Sequence, residues 1–290
     1  MTIIDGKYHA ESILDKLRLD IDELASKNVK PRLAIILVGD HPASKIYVTA
    51  KMAKAEEFGI KADLFSFSDD ISTESLLENI DRINRDDNIH AIIVQLPLPS
   101  HINKFQVQNK IAPEKDVDGF HPINVGLLHN GSNNGFIPCT PLGCLYLIKS
   151  CAQDMRGMNA VVIGRSDIVG KPMAALLLRE NATVTICHSH TKNLSLITRS
   201  ADIVVAAMGS GHFLKKEYFK EDAIVIDVGI TRLNSSSKLV GDVDFESVQD
   251  HVAYITPVPK GVGPMTIAYL LYNTVKATKN ITTLVCQKKL

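Results

Sequence analysis

Aliphatic, β-branched runs alternate with amphipathic stretches along almost the whole chain. Between residues 9 and 26 the apolar positions Ile13, Leu14, Leu17, Leu19, Ile21 and Leu24 recur at a broadly helical spacing. Residues 33–38 form an unbroken apolar run, as a strand buried on both faces does. Gly39 and Asp40 break that run, and Pro42 stands where a helix over about 43–58 can begin. Residues 61–68 alternate as a strand does, and 73–85 read as a helix with Ser72 as its cap. A second buried strand begins at His90 and is stopped by Pro97 and Pro99.

Between 100 and 140 the periodicity lapses. Lys115-Asp116-Val117-Asp118-Gly119-Phe120 and Pro138-Cys139-Thr140-Pro141 read as loops with a short helix between them, and 141–151 as a linking helix. The alternation resumes at Asn159, with strands expected at 160–164, 183–187, 203–207 and 223–228 and a helix at 169–179. Residues 232–242 are turn-rich and predict an exposed hairpin. After extended Thr256-Pro257-Val258-Pro259, residues 261–264 read as a tight loop and 265–279 as an amphipathic last helix. Strand and helix alternating in this way imply parallel βαβ units. The expected fold is therefore α/β with two domains. The second α/β module begins at Asn159.

A chain of 290 residues can build two cores of this size. Its 32 basic and 32 acidic residues cancel, so no global field recruits nucleic acid or an anionic membrane. Small-molecule chemistry is left as the default. The first residues carry neither a basic n-region nor an apolar h-region, so no secretory signal is expected. The longest apolar runs fall far short of a bilayer. Five cysteines (139, 144, 151, 187 and 286) form no Cys-x-x-Cys pair, and their odd count suits a reducing, cytoplasmic setting. His188 and His190 flank Ser189 as a metal pair would, but no third ligand is evident. Structural or solvated histidines are the favoured reading, and no metal is expected.

Two stretches carry candidate chemistry. On a helix over 43–58, Tyr47 and Lys51 lie four residues apart and share a face, just beyond the carboxyl end of a strand. Open α/β sheets keep their ligands at that end. Spacing alone nevertheless favours a solvated lysine beside a half-buried tyrosine. The second stretch is Val161-Val162-Ile163-Gly164-Arg165-Ser166-Asp167-Ile168-Val169-Gly170-Lys171-Pro172, a glycine-bearing turn between strand and helix. Such a turn lets backbone N–H groups and a helix amino terminus approach a phosphate. Ser166 replaces the second glycine of Gly-x-Gly-x-x-Gly, so an ordinary βα turn remains the alternative. The next strand ends Cys187-His188-Ser189-His190, without the carboxylate that holds a ribose 2′-hydroxyl. With Arg165 available from the first turn, these donors suit a 2′-phosphate and so NADP over NAD, unless they are simply surface polar groups.

A Tyr-x-x-x-Lys pair also marks short-chain dehydrogenases. In those enzymes it follows the dinucleotide fold, whereas here it precedes the glycine turn by more than a hundred residues. The order of motifs points elsewhere. Tyr47-Val48-Thr49-Ala50-Lys51, Gln95-Leu96-Pro97-Leu98-Pro99, Asp116-Val117-Asp118-Gly119, Pro138-Cys139-Thr140-Pro141, Gly164-Arg165-Ser166 with Val169-Gly170-Lys171-Pro172, and Thr256-Pro257-Val258-Pro259 with Gly261-Val262-Gly263-Pro264-Met265-Thr266 occur in sequence. Together they resemble the bifunctional methylenetetrahydrofolate dehydrogenase/methenyltetrahydrofolate cyclohydrolases over roughly the whole chain.

That resemblance implies a folate-binding domain over 1–137 that regains 265–290 as a closing helix, a Rossmann-like dinucleotide-binding domain with a parallel sheet over 138–264, and two reactions in a cleft between them. Hydride leaves 5,10-methylenetetrahydrofolate for NADP, and water then opens the methenyl ring to 10-formyltetrahydrofolate, a one-carbon donor for purine biosynthesis. The first step needs positioning more than acid–base help, because nitrogen lone pairs stabilise the cation. The second needs proton transfer, for which Lys51 is the candidate, oriented by Gln95. Tyr47 is expected to stack on the folate. The Asp118 carboxylate is expected to accept from the 2-amino-4-oxopterin, although a turn-forming Asp before Gly119 would serve the spacing as well. Leu96, Pro259 and Gly263 are expected to border the substrate. Gly164, Arg165, Ser166, Ser189 and Ile230 are expected on the cofactor, with Thr140 close by. A homodimer through the dinucleotide domain is implied by the resemblance only. One departure stands out: Lys260 takes the place of the first glycine of the family's usual Gly-Gly. The expectation is that the position tolerates a side chain and adds a cation at the rim. Two alternatives stay open, a monofunctional dehydrogenase with an idle Lys51 and a nucleotide-binding module without catalysis.

Overall fold

The computed structural model describes residues 2–232 and 238–287, with 284–287 as backbone only. In chain order, strand β1 (Thr2–Ile3) leads into α1 (Gly6–Ser26), β2 (Arg32–Val38), α2 (Pro42–Glu57), β3 (Lys61–Phe67), α3 (Thr73–Asn84) and β4 (Ala91–Val94). Two short helices, α4 (Lys104–Lys110) and α5 (Pro122–His129), precede α6 (Cys139–Cys151). Then come β5 (Asn159–Ile163), α7 (Gly170–Arg179), β6 (Thr183–Cys187), α8 (Leu194–Thr198), β7 (Ile203–Ala206) and β8 (Ile224–Asp227). The chain closes with β9 (Thr231–Arg232), β10 (Leu239–Val240), α9 (Phe245–Val248), β11 (Tyr254–Ile255) and α10 (Val262–Gln287). Among the described residues no helix is long and apolar enough to cross a membrane.

Contacts divide the chain into two units, and the division falls inside α1 and α10. Pro138–Tyr269 and the residues before Ser12 form one. Its six-stranded sheet has the order β1-β11-β8-β7-β5-β6, and every neighbouring pair is parallel. Within it β5 is flanked by the later strands β6 and β7, so the strand order reverses there and leaves a crevice beyond their carboxyl ends. The valine- and isoleucine-rich β7 and β8 are buried along their whole length, as strands covered on both faces must be. Val161, Ile163, Val204, Ala206 and Val225 pack with Leu214, Phe219 and Val248 into one core.

The amino terminus departs from the expected division. Residues 2–3 join the dinucleotide sheet as its edge strand, with Thr2 opposite Tyr254 and Ile3 opposite Ile255. Their backbone groups need a partner, and the Thr2 and Ile4 N–H groups find the carbonyls of Ala253 and Ile255 at 2.7 and 2.8 Å. A strand of two residues is too short to show an alternation, so periodicity could not have placed it.

Ser12–Ile137 and the residues from Leu270 onward form the other unit. Its parallel sheet has the order β3-β2-β4, again reversing about its first strand. Leu76, Ile80 and Ile83 fall on one face of α3 at helical spacing and pack on Ala34, Ile36, Ile92 and Val94. The expected cap is present, since Ser72 Oγ accepts from Ser75 N–H at 3.1 Å.

Three further expectations need correction or completion. The segment 261–264 is not a tight loop: α10 begins at Val262, and Pro264 sits in its first turn, where a missing N–H costs nothing. The short helices α4, α8 and α9 carry too few turns to show a periodic signal. In the expected hairpin, Arg232 and Thr231 pair antiparallel with Leu239 and Val240, while 233–237 lie outside the described residues.

Candidate active site

The crevice beside β2 in the smaller sheet collects the first group of expected site residues. Pro42 is pre-set for the first turn of α2, and His41 precedes it in an extended conformation, so the helix starts directly after β2. Lys51 lies on that helix and Gln95 directly follows β4, the strand paired with β2. Gln95 N–H donates to the Ile36 carbonyl at 2.9 Å, extending the ladder by one residue and fixing where the side chain starts. Lys51 Nζ donates to Gln95 Oε1 at 3.0 Å, and Gln95 Nε2 donates to the Leu96 carbonyl at 2.6 Å. The second bond holds the amide so that its oxygen faces the lysine. Tyr47, one turn before Lys51, leaves 41% of its surface exposed, an aromatic face open to a planar ligand.

Asp118 reaches the same site from a loop that is fastened at several points. Asp116 pairs with Ile92 at the edge of the sheet and is 1% exposed. Its carboxylate accepts from His121 N–H and Asn124 Nδ2, both at 2.8 Å. The buried Lys115 donates to the carbonyls of Asn84 and Asp86 at 2.7 and 2.8 Å, tying the start of the loop to the end of α3. Gly119, at φ +73°, turns the chain immediately after Asp118. Burial pushes the Asp118 carboxyl up to about 6, the Lys51 charge opposing and Asp116 adding to the rise. A small cavity lined by Val94, Leu96, Leu98, Val107, Ile111 and Phe120 opens onto both Asp116 and Asp118.

The second group lies along the carboxyl edge of the larger sheet. Gly164, after β5, sits at φ +131°, and a Cβ there would overlap the Ala207 carbonyl. Gly170 opens α7 against the Gly164 carbonyl, the close helix–strand approach that a side chain would prevent. Ser166 Oγ accepts from Val169 and Gly170 N–H at 3.2 and 3.3 Å, and its carbonyl accepts from Lys171 N–H at 3.0 Å. The helix's leading donors are thus used inside the turn, while the serine O–H can still donate outward. Arg165 and Ser166 are exposed at the turn, and Ser189 is exposed beyond β6. That donor set fits a dinucleotide with a 2′-phosphate: no carboxylate ends β6, and the cationic and hydroxyl groups present are what a phosphate dianion needs. Ile230 follows β8 and is 45% exposed. Thr140 and Thr266 share a hydroxyl hydrogen bond of 2.9 Å.

Sequence reading missed a pair of buried carboxylates at this edge. Asp227 ends β8 and Asp242 follows β10; they are 3% and 0% exposed. Asp227 accepts from the N–H groups of Gly229, Asp242 and Val243, and Asp242 from those of Met208, Gly209 and Ser210. Burial pushes the Asp227 carboxyl up to about 7 against the pull of its backbone donors, and Asp242 raises it further. The available signal was an acidic residue ending a strand and a Gly-Asp pair beyond a hairpin.

Pro259 is exposed, and Gly263 lies half-buried in the first turn of α10. The expectation for Lys260 is corrected in its backbone part only, since the side chain is exposed as expected. Its φ of +81° puts it in the left-handed region, so the position does favour glycine, and lysine sits there under strain. Lys260 carbonyl accepts from Lys7 N–H at 3.2 Å, and Gly6 is packed so closely on Gly261 that a Cβ would overlap the latter's carbonyl. The start of α1 thereby holds the backbone in place. Among the described residues no group of three or more His, Cys, Asp and Glu side chains is placed to hold a metal ion.

Known proteins resemble the chain over almost its whole length. The model of the tetrahydrofolate dehydrogenase/cyclohydrolase catalytic domain matches residues 4–118, and that of the same family's NAD(P)-binding domain matches 138–282. The bifunctional protein FolD of Rickettsia rickettsii (strain Sheila Smith) is 58% identical over 279 residues, covering 96% of each chain. The crystal structure of the Campylobacter jejuni bifunctional enzyme FolD, a methylenetetrahydrofolate dehydrogenase/cyclohydrolase, has a TM-score of 0.94 at 52% identity, covering 97% of this chain and 99% of that one. The Trypanosoma brucei methylenetetrahydrofolate dehydrogenase-cyclohydrolase, complexed with NADP cofactor and inhibitor, has a TM-score of 0.91 at 39% identity, covering 96% and 97%.

Proposed function

We propose residue roles on a single premise: the chain belongs to the tetrahydrofolate dehydrogenase/cyclohydrolase family. It is a bifunctional enzyme of one-carbon folate metabolism. With NADP it oxidises 5,10-methylenetetrahydrofolate to the methenyl cation, and it hydrolyses that cation to 10-formyltetrahydrofolate. The roles of the individual side chains follow from what each step demands.

In the unit built on β2, Asp118 accepts the adjacent N–H donors of the pterin and Tyr47 stacks on the folate, while Leu96 closes the apolar wall. Bound NADP supplies the acceptor for the hydride. For that step these residues orient the substrate and keep water from the methylene carbon, and no side chain has to move a proton. In the hydrolysis, the water oxygen bonds the methenyl carbon as the C=N π electrons return to nitrogen, and the added water loses a proton; the C–N5 bond then breaks, N5 takes a proton and the formyl group stays on N10. Lys51 Nζ carries the proton transfer, and Gln95 Oε1 aims it. The observation that carries the assignment is the Lys51–Gln95 hydrogen bond, with the glutamine amide held by Leu96.

In the unit built on β5, Gly164 and the Ser166 hydroxyl face the pyrophosphate, and Arg165 and Ser189 the 2′-phosphate. Ile230 packs beside the nicotinamide with Thr140 near it, and Pro259 and Gly263 border the folate. The enzyme works as a homodimer joined through this unit, in the cytoplasm, on a small-molecule folate and without nucleic acid or membrane as partners. The balanced charge supports the absence of nucleic-acid and membrane partners, and the lack of a disulfide among the described cysteines suits a reducing cytoplasm; the homodimer rests on the family resemblance. Assaying both reactions on Lys51→Met tests the division of labour. Hydrolysis is expected to fall by about 10²–10⁴-fold, the usual contribution of a positioned proton-transfer group, with hydride transfer retained. Wild-type hydrolysis by the variant would leave Lys51 idle and the monofunctional reading in its place.

A further inference from the structure

Asp242 makes no contact with solvent, yet its carboxylate organises the part of the larger sheet where a nicotinamide would sit. Oδ2 accepts from the N–H groups of Met208 and Gly209 at 2.7 and 3.1 Å, and Oδ1 accepts from Ser210 at 2.6 Å. Three consecutive N–H groups converging on one anion fix the backbone that follows β7. That backbone begins at Ala207, whose carbonyl lies against Gly164 in the glycine turn after β5. The loop is therefore wedged between Asp242 on one side and the phosphate-binding turn on the other, at the crevice where the strand order reverses.

Asp242 is itself anchored. Its N–H donates to Asp227 Oδ1 at 2.9 Å, Val243 N–H donates to Asp227 Oδ2 at 2.9 Å, and Gly229 N–H reaches Oδ1 at 3.1 Å. Thr256 Oγ1 accepts from the Asp227 N–H at 2.8 Å. A Cβ at Gly229 would overlap the Asp242 carboxylate, and one at Gly241 would overlap that of Asp227. Glycine at those two positions is what lets both carboxylates reach their donors. The pair joins the loop after β7 to the loop after β8, which carries Ile230.

We infer that Asp242 is a positioning residue for hydride transfer: it holds the 207–210 loop against the glycine turn so that the cofactor edge of the sheet keeps its shape. The inference rests on the placement of NADP at that edge. A carboxylate is required because all three partners are donors. An asparagine at 242 would turn an NH₂ toward Ser210 or toward Met208 and Gly209, and donor would face donor.

The test compares wild type, Asp242→Asn and Gly209→Ala in three assays: NADP-dependent oxidation, cofactor-free hydrolysis of methenyltetrahydrofolate, and thermal unfolding. Gly209 donates its N–H to Asp242 from φ +69°, and a Cβ added there would meet nothing within 4 Å, so alanine perturbs that bond through backbone strain alone and leaves the Asp242 and Asp227 side chains in place. Both variants are expected to raise KM for NADP by about tenfold or more, the loss of one charge-assisted hydrogen bond. Cofactor-free hydrolysis is expected to stay within about twofold, since a loop holding only the cofactor contributes nothing to it. Equal losses in both reactions would reduce Asp242 to a general fold element and overturn the inference. An unchanged KM for NADP in Gly209→Ala would also overturn it, even if Asp242→Asn failed to fold. Should wild type itself fail to oxidise methylenetetrahydrofolate with NADP, the functional reading falls instead.

Discussion

Lys51 and Gln95 lie 44 residues apart in sequence and meet through one hydrogen bond of 3.0 Å between Nζ and Oε1. The contact exists because α2 follows β2 and Gln95 follows β4, and β2 and β4 are neighbours in the sheet. Gln95→Ala keeps the amine but removes what aims it. Hydrolysis of methenyltetrahydrofolate is expected to slow by roughly 10-fold or more in kcat, with KM little changed, as when an interaction made only in the transition state is lost. A variant with a raised KM and an intact kcat would make Gln95 a binding residue instead.

With its carboxyl pushed up to about 6 by burial, Asp118 in the proposed pterin-binding role is expected to give folate binding an acidic limb. Below that pH it carries a proton and can no longer accept both pterin N–H groups. KM for the folate is therefore expected to rise as pH falls through about 6, and Asp118→Asn is expected to show a raised KM without that limb. The linkage to stability has the opposite sense. The unfolded carboxyl titrates near 3.9, so between about 4 and 6 the folded chain binds more protons than the unfolded one. Asp118 thus costs stability progressively as pH rises through that window and by a constant amount above it. Melting curves of wild type and Asp118→Asn should diverge from about pH 4 to 6 in favour of the variant; parallel curves would refute the raised value.

Lys260 offers a clean test of backbone strain. Lys260→Gly is expected to stabilise the protein by roughly 1 kcal/mol, because glycine enters the left-handed region without a Cβ penalty. Lys260→Ala removes the same charge but keeps the Cβ, so it should give none of the gain. If denaturant midpoints moved equally for the two, the lysine's charge and not its φ of +81° would be the cause.

Gly164→Ala probes the phosphate turn. Its Cβ would overlap the Ala207 carbonyl at a φ that alanine avoids, so the turn must open. NADP-dependent oxidation should fall steeply while cofactor-free hydrolysis continues. A variant that retained full NADP affinity would place the cofactor elsewhere.

Cofactor choice is tested by Arg165→Ala and Ser189→Ala. Each is expected to raise KM for NADP by about tenfold or more, the loss of a charge-assisted contact, while leaving any NAD-driven rate within about twofold. A wild-type preference for NAD would remove both residues from the 2′-phosphate.

Much of this architecture was legible because long apolar runs and capped helices announce themselves. Residues 33–38, the Ser72 cap and the glycine turn at 164 all appear in the structure within a residue or two of where the pattern put them. The motif order carried the functional reading further than any spacing could. What escaped were features without local periodicity. β1 is two residues long and pairs with a strand some 250 residues away. The Asp227–Asp242 pair depends on which backbone donors converge, and sequence does not record that. The backbone of Lys260 was not legible because its φ of +81° belongs to the folded chain, and no local rule for lysine predicts it.

The pairing of Thr2–Ile3 with Tyr254–Ile255 also imposes an order on biosynthesis. The three-stranded sheet can assemble once the ribosome has released residues 32–94, a span with modest loop-closure cost. The six-stranded sheet cannot gain its edge until residue 255 emerges, so the earliest-made strand is among the last to be docked. Until then the opening residues pair their backbone groups only with water, and the growing chain holds one finished sheet and one that is still open along β11's place.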